Sequence, residues 1–230
     1  MNAAFVIYGC LQCALLIWLL RYFRRSRDPA ALVLMVPQAL LVYDNWVIAA
    51  GAWIGPGPTL LALSWPRFWG HWLFGSWLVL ACGAILQRCG FARGHGRPFT
   101  GTFGLLTLAL MACEAPHFWN VEIHAVCEPG VIRYSSAVRA GTSCFDPWLV
   151  VAGGPPLVPI IVCLVVIGCG IAVSCRCRSF WLMAGGILML ISASPPLAAA
   201  HLDNLGEVCI MAGFAATLES LSCAVRAATR

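Results

Sequence analysis

The sequence predicts an all-α membrane protein, a polytopic bundle of about seven transmembrane helices. Two features of composition lead to this class: 61% of the 230 residues are hydrophobic and only 10% are charged. Soluble domains carry about 25% charged residues, so this chain lacks the polar side chains that a water-exposed surface requires. A third feature is that the apolar residues form long stretches, each close to the roughly 20 residues that a helix needs to cross a bilayer.

Seven stretches meet or nearly meet this length, and we expect each to be one transmembrane helix of a single domain. The fourth has the shortest uncharged core, and prolines near the start of the fifth predict an irregular or kinked first turn. The sequence Gly-Pro-Gly-Pro at 55–58 is typical of a turn. The predicted helices are residues 3–20, 30–53, 68–87, 99–114, 149–174, 180–200 and 204–225.

The arginines predict the orientation of the bundle. Positive charges follow the first apolar stretch instead of preceding it, as in an uncleaved anchor whose N-terminus lies outside the cytoplasm. Cytoplasmic loops are enriched in basic residues, which places the C-terminus in the cytoplasm. The arginines on the predicted cytoplasmic side are Arg21, Arg24, Arg25, Arg27, Arg88, Arg93, Arg97, Arg176, Arg178, Arg226 and Arg230; those outside are Arg67, Arg133 and Arg139.

Composition also bounds the chemistry. The chain contains no lysine, so no retinal or pyridoxal Schiff base can form, and we expect no cofactor. We expect no metal at the pair Cys175 and Cys177, which lacks a second pair, whereas a metal or haem among His71, His117, His124 and His201 is a weaker alternative without diagnostic spacing. Exclusive use of arginine with abundant alanine and glycine is typical of a GC-rich bacterial genome, which predicts the bacterial cytoplasmic (inner) membrane.

The outer loop, residues 115–148, is too long for a simple connection. Its apolar residues, among them Trp119, predict an ordered cap on the bundle or at the membrane interface. Cys127 and Cys144 would face an oxidising compartment, which predicts a disulfide between them. Cys113 is the alternative partner, and free thiols are expected if the compartment is not oxidising.

Ionisable residues of the predicted helices gather in the outer half of the bundle. Such residues are costly in a bilayer, and their default interpretation is functional. Each would cost roughly several kcal/mol if it faced lipid unpaired, so we expect them to converge on one cavity. The set is Asp44 and Asn45 of the second helix, Arg67 and His71 of the third, and Asp203 and Glu207 of the seventh.

The expected catalytic residues are Asp44 as proton donor, with Glu207 or Asp203 tuning it or taking the final proton. A structural alternative remains open: hydrogen bonds between helices, an N-cap at Asp203, an interfacial anchor at Arg67 and an aromatic belt explain the same residues. The expected substrate-binding residues are Asn45, Arg67, His71, Tyr43, Trp46 and Trp69.

With its small size, seven predicted spans and acids in the second and seventh helices, the chain resembles the fungal-type (meroterpenoid) integral-membrane terpene cyclases. The resemblance covers the architecture of most of the chain and no sequence motif, because Tyr43-Asp44-Asn45 matches no pattern of that family. It implies an enzyme whose intramembrane acid protonates an isoprenoid epoxide and starts ring closure. Asp44 would correspond to the acid of an early helix, and Asp203 or Glu207 to that of the last.

Three functions compete. A membrane enzyme acting on an isoprenoid or other lipid explains the deep acid and the aromatic residues. A small transporter or ion pathway needs polar residues through the full depth, and the inner half of the sequence has few. A receptor or assembly subunit is the third, although no motif of rhodopsin-type receptors is present. Expected partners are the bilayer and a hydrophobic small molecule, with no nucleic acid, and the oligomeric state is not indicated.

We predict that reporters fused in the loops containing Arg24 and Arg93 are cytoplasmic and that a reporter at Glu128 is outside, because the arginine-rich loops stay on the cytoplasmic side. Paired fusions to alkaline phosphatase and to a fluorescent protein measure this. An outward signal from the loop containing Arg93 would contradict the orientation.

Overall fold

The structure is a computed structural model and describes residues 3–91, 96–153, 156–194 and 202–228. Most of these residues are helical. The helices are α1 (Ala3–Ser26), α2 (Pro29–Ile54), α3 (Pro58–Phe74), α4 (Trp77–Arg88), α5 (Gly96–Glu114), α6 (His117–Asn120), α7 (Leu157–Cys177), α8 (Trp181–Ser192) and α9 (Leu202–Ala228); the strands are β1 (His124–Glu128) and β2 (Val131–Ser135).

Within the described residues, five helical segments are long and apolar enough to cross a membrane: α1, α2, α7, most of α9, and α5 together with α6. The pair α3 and α4 passes the same test as one span bent by about 40°. Helix α8 covers 12 residues and is shorter than a full span. Residues 195–200, which complete the predicted sixth helix, lie outside the described residues, so seven spans remain a prediction.

Local sequence signals set the turn between α1 and α2 and the one between α2 and α3. Asp28 is the N-cap of α2, and its carboxylate accepts a hydrogen bond of 3.0 Å from the backbone N–H of Ala30. Pro29 occupies the first turn of α2, where its missing N–H costs no hydrogen bond. Gly55 ends α2 with φ of 78°, a conformation that favours glycine. Pro58 then begins α3.

The predicted third helix, 68–87, differs from the structure at both its start and its middle. Helix α3 begins ten residues earlier, at Pro58, and continues through Pro66. The helix then breaks at Gly75 and Ser76, and α4 begins at Trp77. The backbone N–H of Gly75 still donates to the carbonyl of His71, at 3.1 Å, so the break falls directly after a complete last turn.

The all-α prediction is wrong for the outer loop. Strands β1 and β2 form an antiparallel hairpin, whose turn contains Gly130 with φ of 76°. The hairpin packs on α2, where a side chain at Gly51 would overlap the carbonyl of Ile132. The predicted disulfide between Cys127 and Cys144 is present, with Cα atoms 5.0 Å apart. The loop is therefore an ordered cap, as expected, but it is built on strands.

A polar cluster joins α1, α2, α4 and α9 at the end of the bundle opposite the cap. The Tyr22 hydroxyl contacts the Leu218 carbonyl at 3.1 Å and accepts a hydrogen bond of 2.8 Å from Nη1 of Arg88. Arg88 also forms an ion pair with Asp28, and Ser222 lies against the same hydroxyl. This cluster was not predicted, because Arg88 was interpreted only as a charge of a cytoplasmic loop and Asp28 was not considered.

We predict that Tyr22→Phe lowers the free energy of unfolding by about 1–3 kcal/mol, because it leaves buried partners without a hydrogen bond. Tyr8→Phe is the matched control on the same helix, since the Tyr8 hydroxyl makes no hydrogen bond within the described residues. Thermal unfolding in detergent measures both. Equal losses in the two variants would contradict the assignment.

Candidate functional site

A buried ion pair lies in the half of the bundle nearer the cap. Nε of Arg67 donates to Oδ1 of Asp44 at 2.6 Å, and the side chains are only 8% and 3% exposed. Asp44 is ten residues before the end of α2, which corresponds to about 15 Å along the helix axis. The pair joins α2 to α3 at a depth where neither charge would be stable alone.

Asn204, in the first turn of α9, connects this pair to the last helix. Its Nδ2 lies 3.2 Å from Oδ2 of Asp44, 3.3 Å from Oδ1 of Asn45 and 3.4 Å from Oε2 of Glu207. The amide therefore contacts two carboxylates and a second amide. Asn204 was not among the predicted site residues, although its spacing of three from Glu207 places both on one helix face.

His71 lies between the two carboxylates. Its Nε2 is 3.6 Å from Oδ1 of Asp44, and its Nδ1 is 3.8 Å from Oε1 of Glu207. These separations exceed those of hydrogen bonds, so the contacts are electrostatic. Because Arg67 compensates Asp44, the four ionisable groups are neutral together when His71 and Glu207 share a single proton.

A cavity of about 990 Å³ lies beside this cluster. Helices α2, α3, α4, α5, α7, α8 and α9 contribute to its wall, and the cap covers its outer end. The volume lies at the upper end of the range of small-molecule pockets, and the lining is mostly apolar. Its apolar side chains include Leu40, Leu41, Leu78, Val158, Ile161, Val162, Met189, Ile210 and Met211.

Only two of the predicted site residues line the cavity, His71 and Glu207. The side chain of His71 is 43% exposed, and that of Glu207 is 15% exposed. Asp44, the expected proton donor, is instead buried behind them and ion-paired with Arg67. Five of the six residues expected to share one cavity thus form two layers, and Asp203 belongs to neither.

Three further residues that were expected at the cavity lie elsewhere: Asn45, Arg67 and Asp203. Asn45 and Arg67 belong to the buried layer and do not reach the cavity wall. The carboxylate of Asp203 accepts a hydrogen bond of 2.9 Å from the backbone N–H of its neighbour Asn204. It makes no contact with Asp44, so it is the least supported of the three predicted catalytic acids.

The predicted aromatic substrate contacts lie elsewhere. Tyr43 donates a hydrogen bond of 2.8 Å to the Leu63 carbonyl, and Trp46 packs over Gly9 of α1. Trp69 stacks on Phe118, with ring centroids 6.5 Å apart. None of these three lines the cavity; the aromatic residue of α3 that does is the neighbouring Trp72.

The end of α5 and the cap contribute two further acid–histidine pairs to the cavity wall. Nδ1 of His117 is 3.2 Å from Oε2 of Glu114, and Nε2 of His124 is 3.9 Å from Oε2 of Glu122. In the part of the chain that the structure describes, no three His, Cys, Asp or Glu side chains are arranged to hold a metal ion. His201, part of the alternative metal site, lies outside that part.

No protein-family model, curated protein or solved structure matches this chain. A function is therefore inferred from the cavity and the charges beside it.

We predict that Arg67→Leu and Asp44→Asn each lower the free energy of unfolding by about 3–5 kcal/mol, because each leaves a buried charge without its partner. The double variant should lose far less than the sum of the two losses, since it removes both charges. Unfolding in detergent micelles measures this cycle. Additive losses would show that the two charges do not interact.

Glu122→Gln is the matched control, because that carboxylate is 88% exposed. It should change stability little. Because Asp44→Asn is expected to lose stability, a loss of activity in that variant does not by itself identify Asp44 as catalytic.

Proposed function

We propose that this chain is an integral membrane enzyme that acts on an isoprenoid or other lipid by acid–base catalysis, in the manner of a terpene cyclase. One observation carries the proposal: a carboxylic acid and an imidazole from two helices, Glu207 and His71, meet on the wall of a large apolar cavity. An apolar cavity suits a lipid chain, and the pair supplies one transferable proton.

In this proposal the donor is the Glu207–His71 pair instead of Asp44. The two groups lie 3.8 Å apart and can share one proton, so we assign the donor role to the pair instead of to either residue. Asp44 acts as a positioning residue: its carboxylate is fixed by Arg67 and Asn204, and it orients His71 from behind. Asn204 holds Glu207 in the same way.

The proposed step is an isomerisation that needs no further reactant. The proton moves from the Glu207–His71 pair to an epoxide oxygen, and a carbon–oxygen bond of the epoxide breaks. An alkene of the same substrate supplies the electron pair for a new carbon–carbon bond. A proton then leaves the resulting cation and returns to Glu207, which restores the pair. The dry wall protects the cation from water.

We propose the membrane arrangement on the same basis. Seven spans with the N-terminus outside, in a bacterial cytoplasmic membrane, agree with the arginine distribution. The bent pair α3 and α4 would count as the third span, and α8 as part of the sixth. The cavity then opens in the outer half of the bilayer, beneath the cap.

A proton pathway is the second candidate. Buried polar side chains occur deeper than the sequence suggested: Nε2 of Gln38 donates to Oε1 of Gln12 at 2.6 Å, between α2 and α1. The cluster around Tyr22 and Asp28 lies deeper still. A pathway would appear as proton uptake into proteoliposomes without any isoprenoid, and Glu207→Gln would reduce it.

We predict that Glu207→Gln lowers turnover of epoxyfarnesol by about 100-fold or more, because glutamine keeps the shape and cannot transfer the proton. Gas chromatography with mass spectrometry measures the cyclised product from membranes that contain equal amounts of folded protein. Glu219→Gln is the matched control, the same change on the same helix about 18 Å farther along its axis. Wild-type turnover by Glu207→Gln would overturn the proposed donor.

A further inference from the structure

The break between α3 and α4 exposes a helix N-terminus to the cavity. Gly75 and Ser76 form the break, and both line the cavity together with His71. Helix α4 then runs for 12 residues away from it. The first N–H groups of a helix carry a partial positive charge, so such an end attracts oxygen atoms. In α4 the N–H groups of Leu78 and Val79 already donate to the carbonyls of Gly75 and Ser76, at 3.3 and 3.0 Å, so the attraction comes from the helix dipole.

The side chain of Ser76 supplies an independent indication of a ligand. Ser76 stands at the N-cap of α4, yet its hydroxyl does not cap the helix. It is 2% exposed, and its Oγ makes no hydrogen bond within the described residues.

Several other buried hydroxyls of the bundle are satisfied by their own helices, although that of Thr217 in α9 also has no partner within the described residues. Ser64 of α3 donates to the carbonyl of Leu60 at 2.8 Å, and Thr107 of α5 donates to that of Phe103 at 2.8 Å. A buried hydroxyl without a partner is unfavourable. At Ser76 it stands beside the cavity, where a ligand oxygen would satisfy it.

We propose that the Ser76 hydroxyl and the N-terminus of α4 bind an oxygen of the substrate, and that the substrate is a neutral lipid with an acceptor oxygen such as a carbonyl or an epoxide. This assignment rests on the proposed lipid function, because it names the polar end of a molecule in the same cavity. Ser76 is five residues after His71, or about 7.5 Å along a helix axis. The bound oxygen therefore lies near the Glu207–His71 pair.

The charges of the wall favour a neutral substrate over a diphosphate or a phospholipid headgroup. No arginine is among the described residues that line the cavity, and the chain contains no lysine. Each of the three lining histidines lies against a carboxylate: His71 against Glu207, His117 against Glu114 and His124 against Glu122. A phosphate would meet three acidic groups without a free cation.

Binding of farnesal labelled with carbon-13 at its carbonyl tests this assignment on the purified full-length protein in lipid nanodiscs. Farnesene, the hydrocarbon of the same skeleton, is the control probe. Because no lysine is present, the aldehyde cannot form a lysine Schiff base. We expect farnesal to bind about tenfold more tightly than farnesene, because one hydrogen bond contributes about that factor. Quenching of tryptophan fluorescence measures both affinities.

Ser76→Ala should reduce this ratio to near one and move the infrared carbonyl band of bound farnesal to higher wavenumber. Ser76→Thr keeps the hydroxyl and should restore both values, and Ser76→Cys replaces Ser76→Ala if the alanine variant does not fold. Ser64→Ala removes an internally bonded hydroxyl of α3 and should leave the ratio and the band unchanged.

The outcomes separate the two proposals. Equal binding of both probes by the wild type, or an unchanged band in Ser76→Ala, would overturn the role of Ser76 and leave the lipid cavity intact. Binding of neither probe would overturn both proposals. A band that depends on Ser76 without turnover of epoxyfarnesol would support the oxygen site and refute cyclisation.

Discussion

The ion pair of Asp44 and Arg67 is the constraint on which the rest of the site depends. A bilayer offers no water to either charge, so each must face the other, and α2 and α3 must pack at one register. That register fixes His71, one turn after Arg67 on the same face of α3. It also presents a carboxylate oxygen to Asn204, which sets the rotation of α9 and the direction of Glu207.

The site therefore has two layers at different depths, an inner layer around Asp44 and Arg67 and an outer layer of His71 and Glu207. The inner layer is polar and closed, and its two charges neutralise each other, although Nη1 of Arg67 has no hydrogen-bond partner within the described residues. The outer layer shows the cavity one acid and one imidazole, surrounded by aliphatic side chains. Groups with this support keep their orientation without water. The break at Gly75 and Ser76 borders the same cavity, and membrane proteins tolerate a break in a helix only where it borders a cavity or protein.

Much of this arrangement follows from composition and spacing. The remaining parts were missed for physical reasons. Long apolar stretches predict helices, because a bilayer permits few other structures. The positions of Cys127 and Cys144 in the outer loop predict the disulfide between them. The break at Ser76 was missed, since hydropathy is continuous across it. The hairpin was missed because its strands are short, although the β-branched and aromatic residues at 131–134 are typical of a strand.

The sequence predicted that polar side chains converge, but not which of them reach the cavity. Side chains of similar depth on three helices do converge, because the cost of facing lipid applies to all of them. Which side chain reaches the cavity depends on helix rotation, which spacing alone does not determine. Asp44 was expected at the cavity wall but lies behind it. Asn204, a neutral residue between Asp203 and Glu207 in the sequence, makes the contact to Asp44 that was expected of these two acids.

The distances along the chain between contacting residues give the site an order of assembly. Arg67 lies 23 residues after Asp44, so their charges can neutralise each other as soon as the first three helices have been made. Asn204 reaches Asp44 across 160 residues. The wall contributed by α9 is thus the last to be synthesised, after the cap. A ribosome must nearly finish the message before the cavity exists, and a chain released early would carry a neutralised ion pair but no enclosed cavity.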